Sequence, residues 1–194
     1  MHKTQTYYTT HIEDYIEKLY HSLSIFIPEQ IDMVKISKKL NIWLHFAPFG
    51  SRAICKNDLS SIVIDNRNMT YQQWEDFGHE LCHVLFHVGN QLYIPKSFLD
   101  YQEAKANNFK LHFCIPTFML RTLELPETRN ESIHLISEIF NVSFHIAEQR
   151  LLHYENQLLA SHLQNVFFTN ISTYSVKTIE STELHLMTNL HHFL

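Results

Sequence analysis

Two histidines four residues apart, the first followed by a glutamate, give this chain its clearest chemical signal. His79-Glu80-Leu81-Cys82-His83 fits the pattern H-E-x-x-H. On a helix this spacing projects both imidazoles from one face, one turn apart, where both can reach a single ion. Zinc in a hydrolase takes three protein ligands and a water, whose pKa falls to about 7 on binding. Glu80 then stands where a general base is needed. It takes the water's proton as the water attacks a carbonyl, then passes it to the leaving amine. The competing explanation is a fortuitous match, with both histidines surface or packed residues. The helix partition argues against it: at about 100° per residue, His79 and His83 point almost opposite to Trp74, Phe77, Leu81 and Leu85. Such a helix packs an apolar back on the core and turns a histidine front toward a cleft.

A third ligand is required. Gly89 occupies the position where H-E-x-x-H-x-x-G-x-x-H would place a histidine, so that pattern is absent. Glu103, on the next expected helix, can complete a His₂Glu site. A solvated helix carboxylate is the ordinary alternative for such a residue. His87 continues the histidine face one turn past His83, and as a fourth protein ligand it would close the coordination sphere, as structural sites do. A cleft-wall residue or a packed histidine are its other readings. Asn107, one turn after Glu103, can orient that carboxylate. Cys82 neighbours His83 on a different helix face and reads as a packed thiol.

Several elements must position these groups. Thr10 and Glu13 form a capping box ahead of an amphipathic pattern at Ile12, Tyr15, Ile16, Leu19 and Tyr20. A second helix is expected from Pro28 to Leu40. Three extended segments follow at 41–47, 52–55 and 61–65, the last two flanking the polar turn Lys56-Asn57-Asp58 as a hairpin. Strand 61–65 could be an edge that binds an extended peptide, or an ordinary sheet strand. Thr70 and Gln73 suggest a capping box for the metal helix, which should end near Gly89-Asn90. A helix over 98–114 buries Ala106, Phe109 and Phe113 until Pro116 stops it. Beyond Pro126, Asn130 caps one helix, Asn141-Val142 breaks it, and Ser143 caps another to about Leu159. Of the tail from Ser161, only 166–176 looks strand-like.

Composition narrows the class. With 194 residues, 45% hydrophobic and 18% charged, the chain can build one well-cored domain and a small appendage. Three glycines and five prolines leave little for flexible linkers. A net charge of −5 argues against a dedicated nucleic-acid binder. Cys55, Cys82 and Cys114 form no CxxC pair and no even framework, the N-terminus lacks an apolar signal core, and no apolar stretch spans a bilayer. The expected location is the reducing cytoplasm, with no membrane association.

The run Ile62-Val63-Ile64-Asp65, then Phe77-Gly78-His79-Glu80-Leu81-Cys82-His83-Val84-Leu85-Phe86-His87, resembles the ImmA/IrrE family of metallopeptidases. There a strand of the type I-x-I/V-N precedes a helix carrying A-H-E-L-G-H-x-x-x-H. The family's second block, E-x-x-A-N-x-F-A-x-x-L-L-M-P, is matched in register by Glu103, Ala106, Asn107, Phe109 and Pro116. The resemblance covers roughly 31–116 and, more loosely, the helical region to 159. It implies that Glu103 is the third zinc ligand and that His87 does not ligate. The chain departs from the family at Gly78, Cys82 and Lys110. Lys110 replaces an alanine on the face of Glu103, where it could pair with that carboxylate or bind substrate.

The expectation is an α+β fold: a small three-stranded sheet beside a helical zincin-like core, with a helical C-terminal region. The metallopeptidase domain would span 1–125, and a helical region with a tail 126–194. The expected activity is that of a zinc metalloendopeptidase. The resemblance further implies a protein substrate, a helix-turn-helix transcriptional repressor whose cleavage derepresses a mobile element or stress regulon. Two other classes remain: a non-catalytic, metal-containing regulatory protein, and a DNA-binding regulator using the helix after Ser143. That helix offers only Arg150 as a fixed cation, so direct nucleic-acid contact is not expected.

Overall fold

Capping chemistry sets most helix starts in the computed structural model, which describes residues 7–56, 59–86 and 95–190, with side chains through 168. Thr10 and Glu13 exchange side-chain and backbone hydrogen bonds in a full capping box, opening α1 (His11–Ser22). The expected second helix is split. Pro28–Gln30 forms a 3-10 turn, and Asp32 caps a separate α2 (Met33–Lys39) by accepting the Val34 and Lys35 N–H groups. Pro28 pre-sets its own turn, but a new carboxylate cap restarts the helix.

The strands follow as β1 (Ile42–Ala47), β2 (Arg52–Lys56) and β3 (Leu59–Asp65). β2 and β3 pair antiparallel, as the hairpin reading requires, while β1 and β3 pair parallel. The sheet order is β1-β3-β2, so β3 is central and cannot be the peptide-binding edge considered for 61–65. Its unbroken buried run Ile62, Val63, Ile64 is the signature of a strand covered on both faces. The edges are β1 and β2.

The metal helix is α3 (Thr70–Phe86). Its start lies one residue from the expected box: the Met69 N–H donates to the Gln72 side chain, and Thr70 is already helical. α4 (Lys96–Cys114) ends at Pro116, followed by a short α5 (Thr117–Leu120). Thr128, not Asn130, caps α6 (Arg129–Phe140) through the Glu131 N–H. Asn141 closes α6 in the left-handed region at φ 49°. The Ser143 hydroxyl accepts the Ile146 N–H at the start of α7 (Phe144–Leu190).

α7 runs 47 residues, so the strand reading of 166–176 is overturned. Residues 161–190 contain neither Gly nor Pro to stop a helix, and no strand among the described residues pairs with them. Among the described residues, no helix is long and apolar enough to cross a membrane.

The chain divides into two compact units, one of residues 10–153 and one of the terminal segments beyond them. In the larger, α3 packs on β2, β3 and α4. The core is aromatic: Trp74 stacks on Phe77, Phe109 stacks on Phe113, and the Tyr20 hydroxyl donates to the Phe113 carbonyl at 2.8 Å. Arg150 is fully buried here, donating to the Ile115 carbonyl and Thr117 hydroxyl and pairing with Glu13. The cation considered for DNA contact is therefore held inside. In the smaller unit Tyr7 stacks on Tyr154, and Tyr8 hydrogen-bonds Gln157, Ser161 and Asn165 along α7.

Candidate metal centre

α3 and α4 lie against each other, and their facing side chains form a triangle. His79 Nε2 and His83 Nε2 are 3.1 Å apart. Glu103 places Oε2 3.1 Å from His79 Nε2 and Oε1 3.4 Å from His83 Nε2. Nitrogen and oxygen ligands about 2.0–2.2 Å from a tetrahedral zinc stand roughly 3.3–3.5 Å from one another, so the donor set fits that ion in type and spacing. Among the described residues this is the one His/Cys/Asp/Glu group assembled in this way. His83 is buried, His79 less so, and Glu103 is the most open of the three. The ion would thus have protein on one side and access on the other.

The close approach of the helices has a local cause. A Cβ on Gly78 would lie 2.9 Å from Cys114 Sγ and 3.3 Å from Phe113, with the Lys110 backbone 3.6 Å away. Glycine lets α4 come in at the residue before His79. Cys82 is buried beside the site, and desolvation pushes its thiol up to about 12, so it remains a neutral, packed group.

Glu80 lies beside the triangle on the side of the sheet, where the Ala53 N–H of edge strand β2 approaches its carboxylate. Burial, the largest cause, raises the Glu80 pKa to about 7. The negative charges of Asp76 and Glu103 add to the rise, while the Ala53 N–H and Arg52 oppose it. No local spacing signals the part played by β2. Asp76 carried a weak signal, a carboxylate one turn before Glu80 on the same face. It accepts hydrogen bonds from Ser51 (2.7 Å) and Asn68 (3.1 Å), while Ser51 Oγ accepts the Asp65 N–H at 3.0 Å. This network pins the chain just before β2 to α3.

Of the remaining candidates, the structure describes Asn107 and Lys110. Asn107 is exposed on α4, one turn after Glu103. Among the described residues no ion pair joins Lys110 to Glu103, whose pairs are with the two histidines; the Lys110 backbone lies by Gly78. His87 lies outside the described residues.

Comparison with known proteins gives this arrangement a lineage. Residues 37–152 match the Peptidase_M78 family, described as the IrrE N-terminal-like domain. The chain is 45% identical over 150 residues to the phage-like element PBSX protein XkdA of Bacillus subtilis (strain 168), covering 77% of this chain and 76% of that protein. It is 39% identical over 152 residues to the uncharacterized protein YqaB of the same organism, covering 78% and 88%. The family match takes in β1 to β3, α3 and α4, hence every residue of the His₂Glu triangle and Glu80. On that overlap, this chain belongs to the IrrE N-terminal-like family of peptidases.

Proposed function

We propose that this chain is a zinc-dependent endopeptidase that cleaves one cytoplasmic protein, a helix-turn-helix repressor, and so derepresses a mobile element or stress regulon. One observation carries the catalytic part: three donor atoms at tetrahedral spacing beside a half-buried glutamate that is not among them. His79, His83 and Glu103 would hold the ion, which when bound supplies an electrophile that acidifies water and polarises a carbonyl. Glu80 accepts the proton of the attacking water and delivers it to the leaving amine. The Ala53 N–H approaches the Glu80 carboxylate, and edge strand β2, to which it belongs, offers an extended substrate backbone a place to pair. The repressor substrate rests on the resemblance to ImmA/IrrE proteins and on a relative whose name places it in a phage-like element.

Glu80→Gln tests the reading. Glutamine keeps the shape but cannot take the proton, so zinc content and melting temperature should stay the same. Cleavage of a repressor encoded beside this protein should fall by about 10²-fold or more. Near-normal cleavage by the variant would reject Glu80 as the base. No cleavage by the zinc-loaded wild type would favour a regulatory, non-catalytic role.

A further inference from the structure

From the last residue matched by the family onward, α7 carries a seam that lies outside the metal site. Exposed Leu152, Asn156, Leu159, Leu163 and Val166 follow one another at alternating steps of four and three, and the sequence repeats the step to Asn170. That is the heptad spacing of a coiled coil, with Asn156, Leu163 and Asn170 at a positions and Leu152, Leu159 and Val166 at d positions. The helix shows which side is free. Tyr154, Gln157, Ser161 and Asn165, which the Tyr7–Tyr8 segment covers, lie on the opposite side. Leu159 is 57%, Leu163 58% and the flanking Phe167 62% exposed.

We infer that α7 forms a parallel two-stranded coiled coil with α7 of a second copy of this chain along this seam.

Three observations select that occupant. Asparagine recurs at the a positions, where a polar residue fixes register and favours two strands by pairing with its own copy. Between residues 151 and 176 the only formally charged residue is Glu155. An oppositely charged partner thus has little to complement, and an anionic bilayer meets no Lys or Arg, whereas a second copy offers an equally charge-poor face. In the parallel arrangement Glu155 faces Ala160 and His162 faces Phe167 across the seam, with no like charges opposed. The exposed apolar groups already supply on the order of 500 Å² per chain, against the roughly 800 Å² that each partner of a stable complex buries. A short seam of this size makes a reversible, concentration-dependent dimer the expected state.

Sedimentation velocity on the full-length, zinc-loaded chain, from about 1 to about 100 µM, should show monomers converting to dimers. Leu159→Lys combined with Leu163→Lys should give a monomer throughout. Zinc content and melting temperature should be retained, because both side chains face solvent in the single chain. Asn156→Leu should strengthen association and broaden it to higher oligomers. In a Cys55→Ser background, Asn156→Cys should cross-link to itself on mild oxidation. A monomer at the highest concentration would overturn the inference, as would a dimer indifferent to the lysines. So would a wild-type monomer that floats with phosphatidylserine vesicles, since a lipid surface would then be the occupant.

Discussion

Glu103 differs from the two histidines in how it is held. His79 and His83 are locked to each other by a single helical turn, but Glu103 arrives from α4 and reaches them only because two helices are in register. Glu103→Ala should therefore leave the fold intact and lower zinc affinity by about 10²-fold or more, measured by competition with a chromogenic chelator. Unchanged zinc affinity would remove Glu103 from the ligand set. Gly78 sets the approach of α4, and its substitution is a sharper structural test. Gly78→Ala drives a methyl into Cys114 Sγ and should cost about 1–3 kcal/mol of stability, despite alanine's better helix propensity. Adding Cys114→Ala removes the clashing sulfur, so the double variant should recover part of the loss. A strictly additive pair would deny the contact. The helical spacing of His79, Glu80 and His83 was legible in sequence because it is local. The Gly78–Cys114 contact and the approach of the Ala53 N–H to Glu80 were not, because they arise only when α3 meets α4 and β2.

Elements with their own start and stop signals could be read directly. Thr10 with Glu13, Ser143, Asn141 and Pro116 each act on backbone within a turn of themselves, and each is found where its chemistry places it. Reading failed where the deciding partner was distant. The spacing of β3 allows an edge, but β1 pairs on its other side, and β-branched residues at 166–176 favour a strand for which no partner exists among the described residues. The placement of β2 against α3 has a testable consequence. Asp76 gathers Ser51 and Asn68, which holds the segment entering β2 where its Ala53 N–H meets Glu80. Asp76→Ala should reduce cleavage about 10- to 100-fold through kcat, with zinc affinity and melting temperature little changed. Asp76→Asn, which can still accept the Ser51 hydroxyl, should restore most of the rate. Equal loss in both variants would assign Asp76 a purely electrostatic effect.

At the scale of the larger unit, stability depends on a polar knot inside an apolar core. Glu13 from α1, His112 from α4, Thr117 from α5 and Arg150 from α7 are all buried and meet at one point. Arg150→Met removes the cation beside Glu13 and should destabilise by about 3–5 kcal/mol in urea denaturation, and an unchanged midpoint would deny the knot a part in stability. His112 makes the knot sensitive to acid. Burial, then the positive charge of Arg150, push its pKa down to about 3, although Glu13 opposes the shift. The ring is therefore neutral near pH 7, and its 3.8 Å approach to Glu13 is not an ion pair. In the unfolded chain the same imidazole titrates near its ordinary value of about 6.5. Below that pH the unfolded state takes a proton that the folded state refuses. The stabilising contribution is thus complete above about pH 6.5 and is lost as the pH falls toward 3, by up to about 1.4 kcal/mol per pH unit. His112→Gln cannot take up that proton. Thermal melts should be run on metal-free wild type and variant between pH 7.5 and 4.5, since zinc release by acid would otherwise add its own slope. The melting temperature of the wild type should fall more steeply than that of the glutamine variant, and parallel curves would mean that His112 is not the group that couples acid to unfolding.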